Sequence, residues 1–152
     1  MTSRNKSSDF TVAFGPPMIG ALLRMPWEQV VRRMLERLHE QGFTDLDAAH
    51  LHVFQYPGPQ GARPSELAGR LGISKQALNY LLGQLERLHY LKRQADPDDL
   101  RSKRVVLTKR GEAAIHAIRS AVSDLEAEWA QHLGPRRFAQ LRTLLLEINR
   151  QT

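Results

Sequence analysis

Lys75, Gln76 and Asn79 stand close together, flanked by Ser74 and Tyr80. The side-chain amides of Gln and Asn can pair with adenine through two hydrogen bonds at once, and a Lys ammonium can reach the acceptor edge of guanine. That chemistry needs the amides on one exposed face of a rigid element. A helical wheel begun at Ser74 supplies such a face. Leu78, Leu81, Leu82, Leu85 and Leu88 gather on one side, while Gln76, Asn79, Tyr80, Gly83 and Arg87 fall opposite and Lys75 lies near the N-terminal end. Gly83, having no side chain, would let this helix lie close to a phosphate backbone. The plainer alternative is the solvated side of an amphipathic helix.

The next stretch concentrates positive charge. Between Arg87 and Arg110 there are eight basic residues against three acidic ones, an excess of five within a whole-chain net charge of +6. Arg101, Lys103 and Arg104 follow a turn cluster, Asp96-Pro97-Asp98-Asp99, so they would sit on a protruding hairpin. Basic residues there suit phosphate contacts and insertion of an Arg into a narrow minor groove. The aspartates oppose a phosphate backbone and need separate roles. Asp99, two residues before Arg101, can hold an Arg stem by a charge-assisted pair. Asp96 and Asp98 can serve the turn through side-chain to backbone bonds. A charged turn without a partner is the alternative.

The elements that would position these residues are legible from their punctuation. Residues 1–14 read as a loose arm, and Gly15-Pro16-Pro17 breaks the chain. Met18 to Gln41 is helical by period, with Pro26 expected to kink the helix or to start a second one at its own first turn. Gly42 stops it, and Thr44 is the expected N-cap of a helix over about Asp45–Gln55. Tyr56 to Gly61 is loop by composition. Pro64 opens a short helix through Leu71, Gly72 breaks it at a turn needing positive φ, and Ser74 caps the next helix, which runs to about Leu88. Strands over Tyr90–Gln94 and Lys103–Leu107 form the hairpin. Thr108 caps a long helix to about His132, Gly134-Pro135 interrupts, and a last helix reaches about Arg150. Helix, three-residue turn, helix and basic hairpin together make a winged helix-turn-helix, in which the second helix enters the major groove.

Two segments carry a family resemblance. Arg63-Pro64-Ser65-Glu66-Leu67-Ala68-Gly69-Arg70-Leu71-Gly72-Ile73-Ser74-Lys75-Gln76 resembles the first half of the DNA-binding domain of the MarR (multiple antibiotic resistance regulator) family. Asp96 through Gly111 resembles that family's wing signature, with its aspartate-x-arginine core on Asp99 and Arg101 and its Leu-Thr-x-x-Gly ending on Leu107, Thr108 and Gly111. The resemblance implies that Arg101 reaches the minor groove with Asp99 as its brace, and that Ser74, Lys75, Gln76, Asn79 and Tyr80 lie on the recognition helix. It also implies that helices near 18–41 and 109–150 interlock between two subunits, so that paired lobes address a pseudo-palindrome. Two departures stand out: Pro26 interrupts the first helix, and His89-Tyr90 stands where the family often has a glycine.

Other chemistries find little footing. The chain has 152 residues and no cysteine, which excludes disulfides and thiolate metal sites. Its apolar runs are too short to span a bilayer, and the polar start lacks a signal core, so a cytoplasmic location without membrane attachment is expected. His39-Glu40 begins like a zinc-protease helix, but Phe43 stands where the second histidine is required. His50 and His52 are two apart and fall on different helix faces. No phosphate loop or nucleophile elbow is present, so neither an enzyme nor a cofactor or metal is expected. Trp27, Phe43, Phe54, Trp129 and Phe138 fill the core and subunit interface, or some of them line an apolar ligand pocket where Arg24, Arg32 or Arg33 meets an anion.

The expected architecture is therefore mainly α: an arm over 1–14, a dimerisation region over 15–44, a winged helix-turn-helix over 45–108 and dimerisation helices over 109–152. The expected function is a homodimeric, sequence-specific regulator that binds double-stranded DNA, a repressor open to relief by a small apolar or aromatic effector. The rivals are a sequence-indifferent architectural DNA binder and a winged-helix module for protein or RNA.

Overall fold

The computed structural model describes residues 15–54 and 60–150, so the N-terminal arm and most of the loop after the second helix lie outside the described residues. Helix α1 runs Ile19–Glu40, with Met18 and Gln41 as its caps. It continues through Pro26 rather than breaking there. Proline leaves the carbonyl four residues earlier, that of Leu22, without an N–H partner. Residues 22–28 are exposed, which keeps that carbonyl within reach of water. The helix ends where Gly42 turns to φ 87°, letting the Phe43 amide donate to the Leu38 carbonyl at 2.9 Å. This is the left-handed termination that glycine favours.

Helix α2 is Ala48–Phe54, shorter than the sequence suggests. Its cap is Asp47, not Thr44: the Asp47 carboxylate accepts from the amides of Ala49 (2.9 Å) and His50 (3.1 Å). Leu46 is buried, and this apolar anchor between Thr44 and Asp47 delays the first turn. Helices α3 (Pro64–Leu71) and α4 (Lys75–Arg87) follow the sequence closely. Gly72 between them has φ 63°, and the Ser74 hydroxyl accepts from the Ala77 amide at 3.1 Å. Buried Leu67, Ala68, Leu78, Leu82 and Leu85 lock the two helices to one core.

The hairpin pairs β1 (Leu91–Asp96) with β2 (Asp99–Leu107), antiparallel, from Leu91 opposite Leu107 to Ala95 opposite Lys103. The register shifts between Ala95 and Asp96. The second strand begins four residues earlier than periodicity indicates, because Asp99 pairs with Asp96 across the turn. Ala62 adds a short third segment, exchanging amide-carbonyl bonds of 3.0 and 2.9 Å with Val105. Gly61 permits this: a Cβ there would lie 2.5 Å from the Val105 oxygen.

Thr108 caps α5 (Lys109–Leu133) by accepting from the Gly111 amide at 3.1 Å, and α6 (Pro135–Asn149) follows Gly134. Helix α5 runs antiparallel along α1, with Arg33 paired to Glu128 and Arg37 to Asp124. Met34 and Leu38 of α1 and Ala114 and Ala117 of α5 join the same core as the helix-turn-helix. Helix α6 buries none of its residues in this chain.

Candidate nucleic-acid interface

Local rules place the second helix of the pair with its polar side outwards. Its leucines are consumed by the core, so Ser74, Lys75, Gln76, Asn79 and Tyr80 are all exposed, Tyr80 at 66%. A Cβ added to Gly83, on the same side, would meet only the end of the Arg87 side chain, 3.5 Å away, so nothing in the fold demands a glycine there. Asn79 is not isolated. Arg93 of β1, held by Glu86 at 3.1 Å, brings its guanidinium to 3.4 Å from the Asn79 side-chain oxygen. The strand therefore touches the helix face, a contact that no sequence period announces.

In the wing, alternation along β2 separates the basic residues into two sets. Arg101 and Lys103 are exposed, while Ser102 and Arg104 turn inwards. Asp99 meets the backbone of Arg101 rather than its guanidinium: one carboxylate oxygen accepts from the Arg101 amide at 3.1 Å and the other from the Ser102 hydroxyl at 2.6 Å. Those two bonds, the Ser102 hydroxyl foremost, hold the Asp99 carboxyl below its usual range. The guanidinium of Arg101 is left to project. Arg104, grouped with the wing's phosphate-facing residues by sequence, instead donates to the Gln60 carbonyl at 3.2 Å and lies 3.2 Å from Asp96.

Asp96 is the residue that sequence reasoning undervalued. It is fully buried beside the hairpin turn. Its carboxylate accepts from the Asp98 amide at 3.0 Å, as expected for the turn, and also from the Arg63 guanidinium at 2.6 Å. The amide bond, then Arg63 and Arg104, bring its pKa down to about 2 against the opposing effect of burial. Asp98, by contrast, is exposed and sits 3.9 Å from Arg104. The register shift at Ala95/Asp96 is what turns Asp96 inwards, so strict alternation mispredicts its side.

Behind the helix-turn-helix, His89 adopts φ 61°, the left-handed conformation a glycine would take at no cost. Tyr90 is buried beside it, donating to Asp45, with the Arg110 guanidinium 4.2 Å above its ring. Arg110 also pairs with Asp45 at 2.9 Å. Burial and the Asp45 carboxylate raise the Tyr90 pKa. Burial pushes Asp45 up, but the bonds from Tyr90 and Arg110 outweigh it and leave Asp45 lowered.

Away from this face, a concavity of about 480 Å³ lies between α1 and α2, lined by Trp27, Val31, Arg32, Leu35, His39 and His52 among others. Of the arginines considered for an anion, Arg24 pairs with Glu28 and Arg33 with Glu128, while Arg32 lines this cavity. Phe54 is in the core and Phe43 packs toward Tyr90 at 6.1 Å between ring centres. Among the described residues, no group of three His, Asp or Glu side chains gathers as a metal site, and no helix is long and apolar enough to cross a membrane.

Residues 42–102 match the model of the MarR family. MarR from E. coli, in its apo form, is 26% identical, with 88% of this chain and 98% of that one aligned at a TM-score of 0.68. Over that segment and in its fold, this chain is similar to the MarR family. Two further structures share the MarR fold. CouR from Rhodococcus jostii, solved with p-coumaroyl-CoA, is 21% identical over 86% of this chain and 90% of its own, with a TM-score of 0.67. A MepR variant from S. aureus, solved with an oligodeoxyribonucleotide, is 21% identical over 90% and 99%, with a TM-score of 0.57. The matched MarR segment contains the whole helix-turn-helix and the wing as far as Ser102, including Asp99 and Arg101.

Proposed function

We propose that this chain is a dimeric, sequence-specific DNA-binding transcription regulator that represses by occupying a pseudo-palindromic operator. The observation that carries the reading is the pairing of two exposed surfaces on one rigid core: the amide-bearing face of α4 and the Arg101 side of the wing. Gln76 and Asn79 are suited to base edges in the major groove, Ser74, Lys75 and Tyr80 to their flanks, and Arg101 with Lys103 to the minor groove and phosphates. Asp99 orders the backbone from which Arg101 projects. Arg104 serves the inner side of the wing, beside Asp96, rather than the DNA. MepR, solved with an oligodeoxyribonucleotide, supports DNA as the partner.

The homodimer is supported by apolar surface that this chain leaves open. Ile19, Leu22 and Leu23 of α1 and Leu144, Leu146 and Ile148 of α6 are each between 47% and 69% exposed. Contiguous apolar exposure of this kind marks an interface. The segments 15–44 and 109–152 are then the dimerisation parts, and 45–108 the DNA-binding part. The cavity between α1 and α2 supports an effector with an aromatic body for Trp27 and an anionic group for Arg32. The p-coumaroyl-CoA complex of CouR points to the same class. Such a ligand relieves repression only by preferring one spacing of the two lobes. A regulator of this kind works in the cytoplasm.

The test is recovery of sheared genomic DNA by the purified protein at near-physiological salt, followed by sequencing. Enrichment of a few pseudo-palindromic sites is the expected result. Uniform recovery would indicate an architectural binder, and no recovery would leave the protein- or RNA-binding module. On an enriched site, Arg101→Ala should weaken binding and flatten its salt dependence. Unchanged affinity and salt slope would remove Arg101 from the interface.

A further inference from the structure

The cap of α2 is connected to the exposed face of α4 by a line of hydrogen bonds whose direction can be worked out. The Asp47 amide donates to His50 Nδ1 at 3.2 Å. The Asp47 carboxylate oxygen near that nitrogen, 3.1 Å away, already accepts from the Ala49 and His50 amides. A backbone N–H is always a donor, so Nδ1 must present its lone pair and the ring proton resides on Nε2. His50 is 4% exposed, which leaves the ring little choice of other partners.

His50 Nε2 lies 3.2 Å from Gln84 Oε1, and Gln84 Nε2 lies 3.2 Å from the Tyr80 hydroxyl. Nε2–H of His50 donates, so the Gln84 atom facing it must be the carbonyl. The Gln84 amide nitrogen is thereby turned to Tyr80, whose oxygen must accept. The phenolic proton is left pointing away from the protein.

We propose that Tyr80 is a hydrogen-bond donor to a DNA phosphate oxygen, its O–H aimed outwards by a fixed relay from the cap of α2 through His50 and Gln84. This rests on the DNA-binding reading above. Phosphate oxygens only accept, whereas base edges carry both donors and acceptors, so a donor of fixed sense suits the backbone. Gly83, three residues on, has only the end of the Arg87 side chain near it, which leaves a phosphate room to approach on the same side. Gln84 and His50 are positioning residues, acting through Tyr80.

The sense of the relay is testable by reversing it. Glutamate at position 84 would accept from both neighbours and draw the Tyr80 proton inwards. With the site enriched by the wild-type protein, Tyr80→Phe should lower affinity about tenfold, evenly across base substitutions in the site. Gln84→Glu should also lower affinity, and by clearly less when Tyr80 is already Phe. Thermal melts near wild type would confirm that each variant folds. Nitrogen-15 shifts should place the His50 ring proton on Nε2.

Wild-type affinity for Tyr80→Phe, an equal Gln84→Glu penalty in both backgrounds, or a proton on Nδ1 would overturn the relay while leaving the regulator reading intact. Failure of the wild-type protein to select any DNA site would remove both.

Discussion

Beside the hairpin turn, Asp96 accepts from the Asp98 amide and the Arg63 guanidinium while a second guanidinium, that of Arg104, lies 3.2 Å away. Asn at this position keeps the shape and the turn bond but strands two cations against a neutral group. Asp96→Asn should therefore lower the melting temperature at pH 7 and speed amide exchange in both strands. The carboxylate's contribution also sets a pH window. Its folded pKa, about 2, lies below the ordinary value of 3.8, so the stabilisation is whole above about pH 4 and disappears as the pH falls through about 2. Acid titration of wild type should show that loss, and Asp96→Asn should lack it. At this scale the exposed half of the interface was legible, because a helix wheel and a turn cluster fix which side chains face out. The inner half was not. A register shift moves Asp96 to the opposite side, and strand alternation then directs Arg104 towards it.

Helix ends were the most legible elements, since caps are local chemistry. Gly72, Ser74, Thr108 and Gly134-Pro135 all act where their types say they should. The failures have a common cause in tertiary contact. Burial of Leu46 moves the α2 cap from Thr44 to Asp47, and Ala62 joins the sheet only because distant Val105 meets it. The corner at His89 offers a direct test. Its φ of 61° costs a side chain about 1 kcal/mol or more, part of which glycine repays in unfolded-state entropy. His89→Gly should raise stability by about 0.5–1 kcal/mol in urea denaturation. The α4 helix gives a complementary case. A Cβ on Gly83 would make only an ordinary contact with the end of the Arg87 side chain, so Gly83→Ala should add up to about 1 kcal/mol of helix stability. A concurrent drop in operator affinity is expected if a phosphate approaches that face. Equal affinity would mean that the backbone of α4 stays clear of the DNA.

For the whole molecule, the decisive feature is what one chain cannot cover. Helix α6 buries nothing, and the first half of α1 is equally bare. Leu144→Glu should convert a dimer in sedimentation velocity to monomer and weaken operator binding at low protein concentration, with the monomer's circular dichroism unchanged. A variant that sediments like wild type would place the subunit contact elsewhere. Apolar period marked these two regions as helices, and the family resemblance gave them their expected place between subunits. The sequence carried no sign of how α1 and α5 pair, because the Arg33–Glu128 and Arg37–Asp124 contacts join residues far apart in the chain.

The N-terminus of α5 has a mechanical consequence. A Cβ on Gly111 would collide with the Tyr90 carbonyl oxygen, and the Thr108 hydroxyl donates to the His89 carbonyl at 2.6 Å. The long helix is thus seated on the very corner that ends α4 and begins the wing, with no slack between them. Such a joint behaves as a crank rather than a tether. A few degrees of tilt at the far end of α5 would carry α4 and the wing with it, and the displacement grows with the length of the arm.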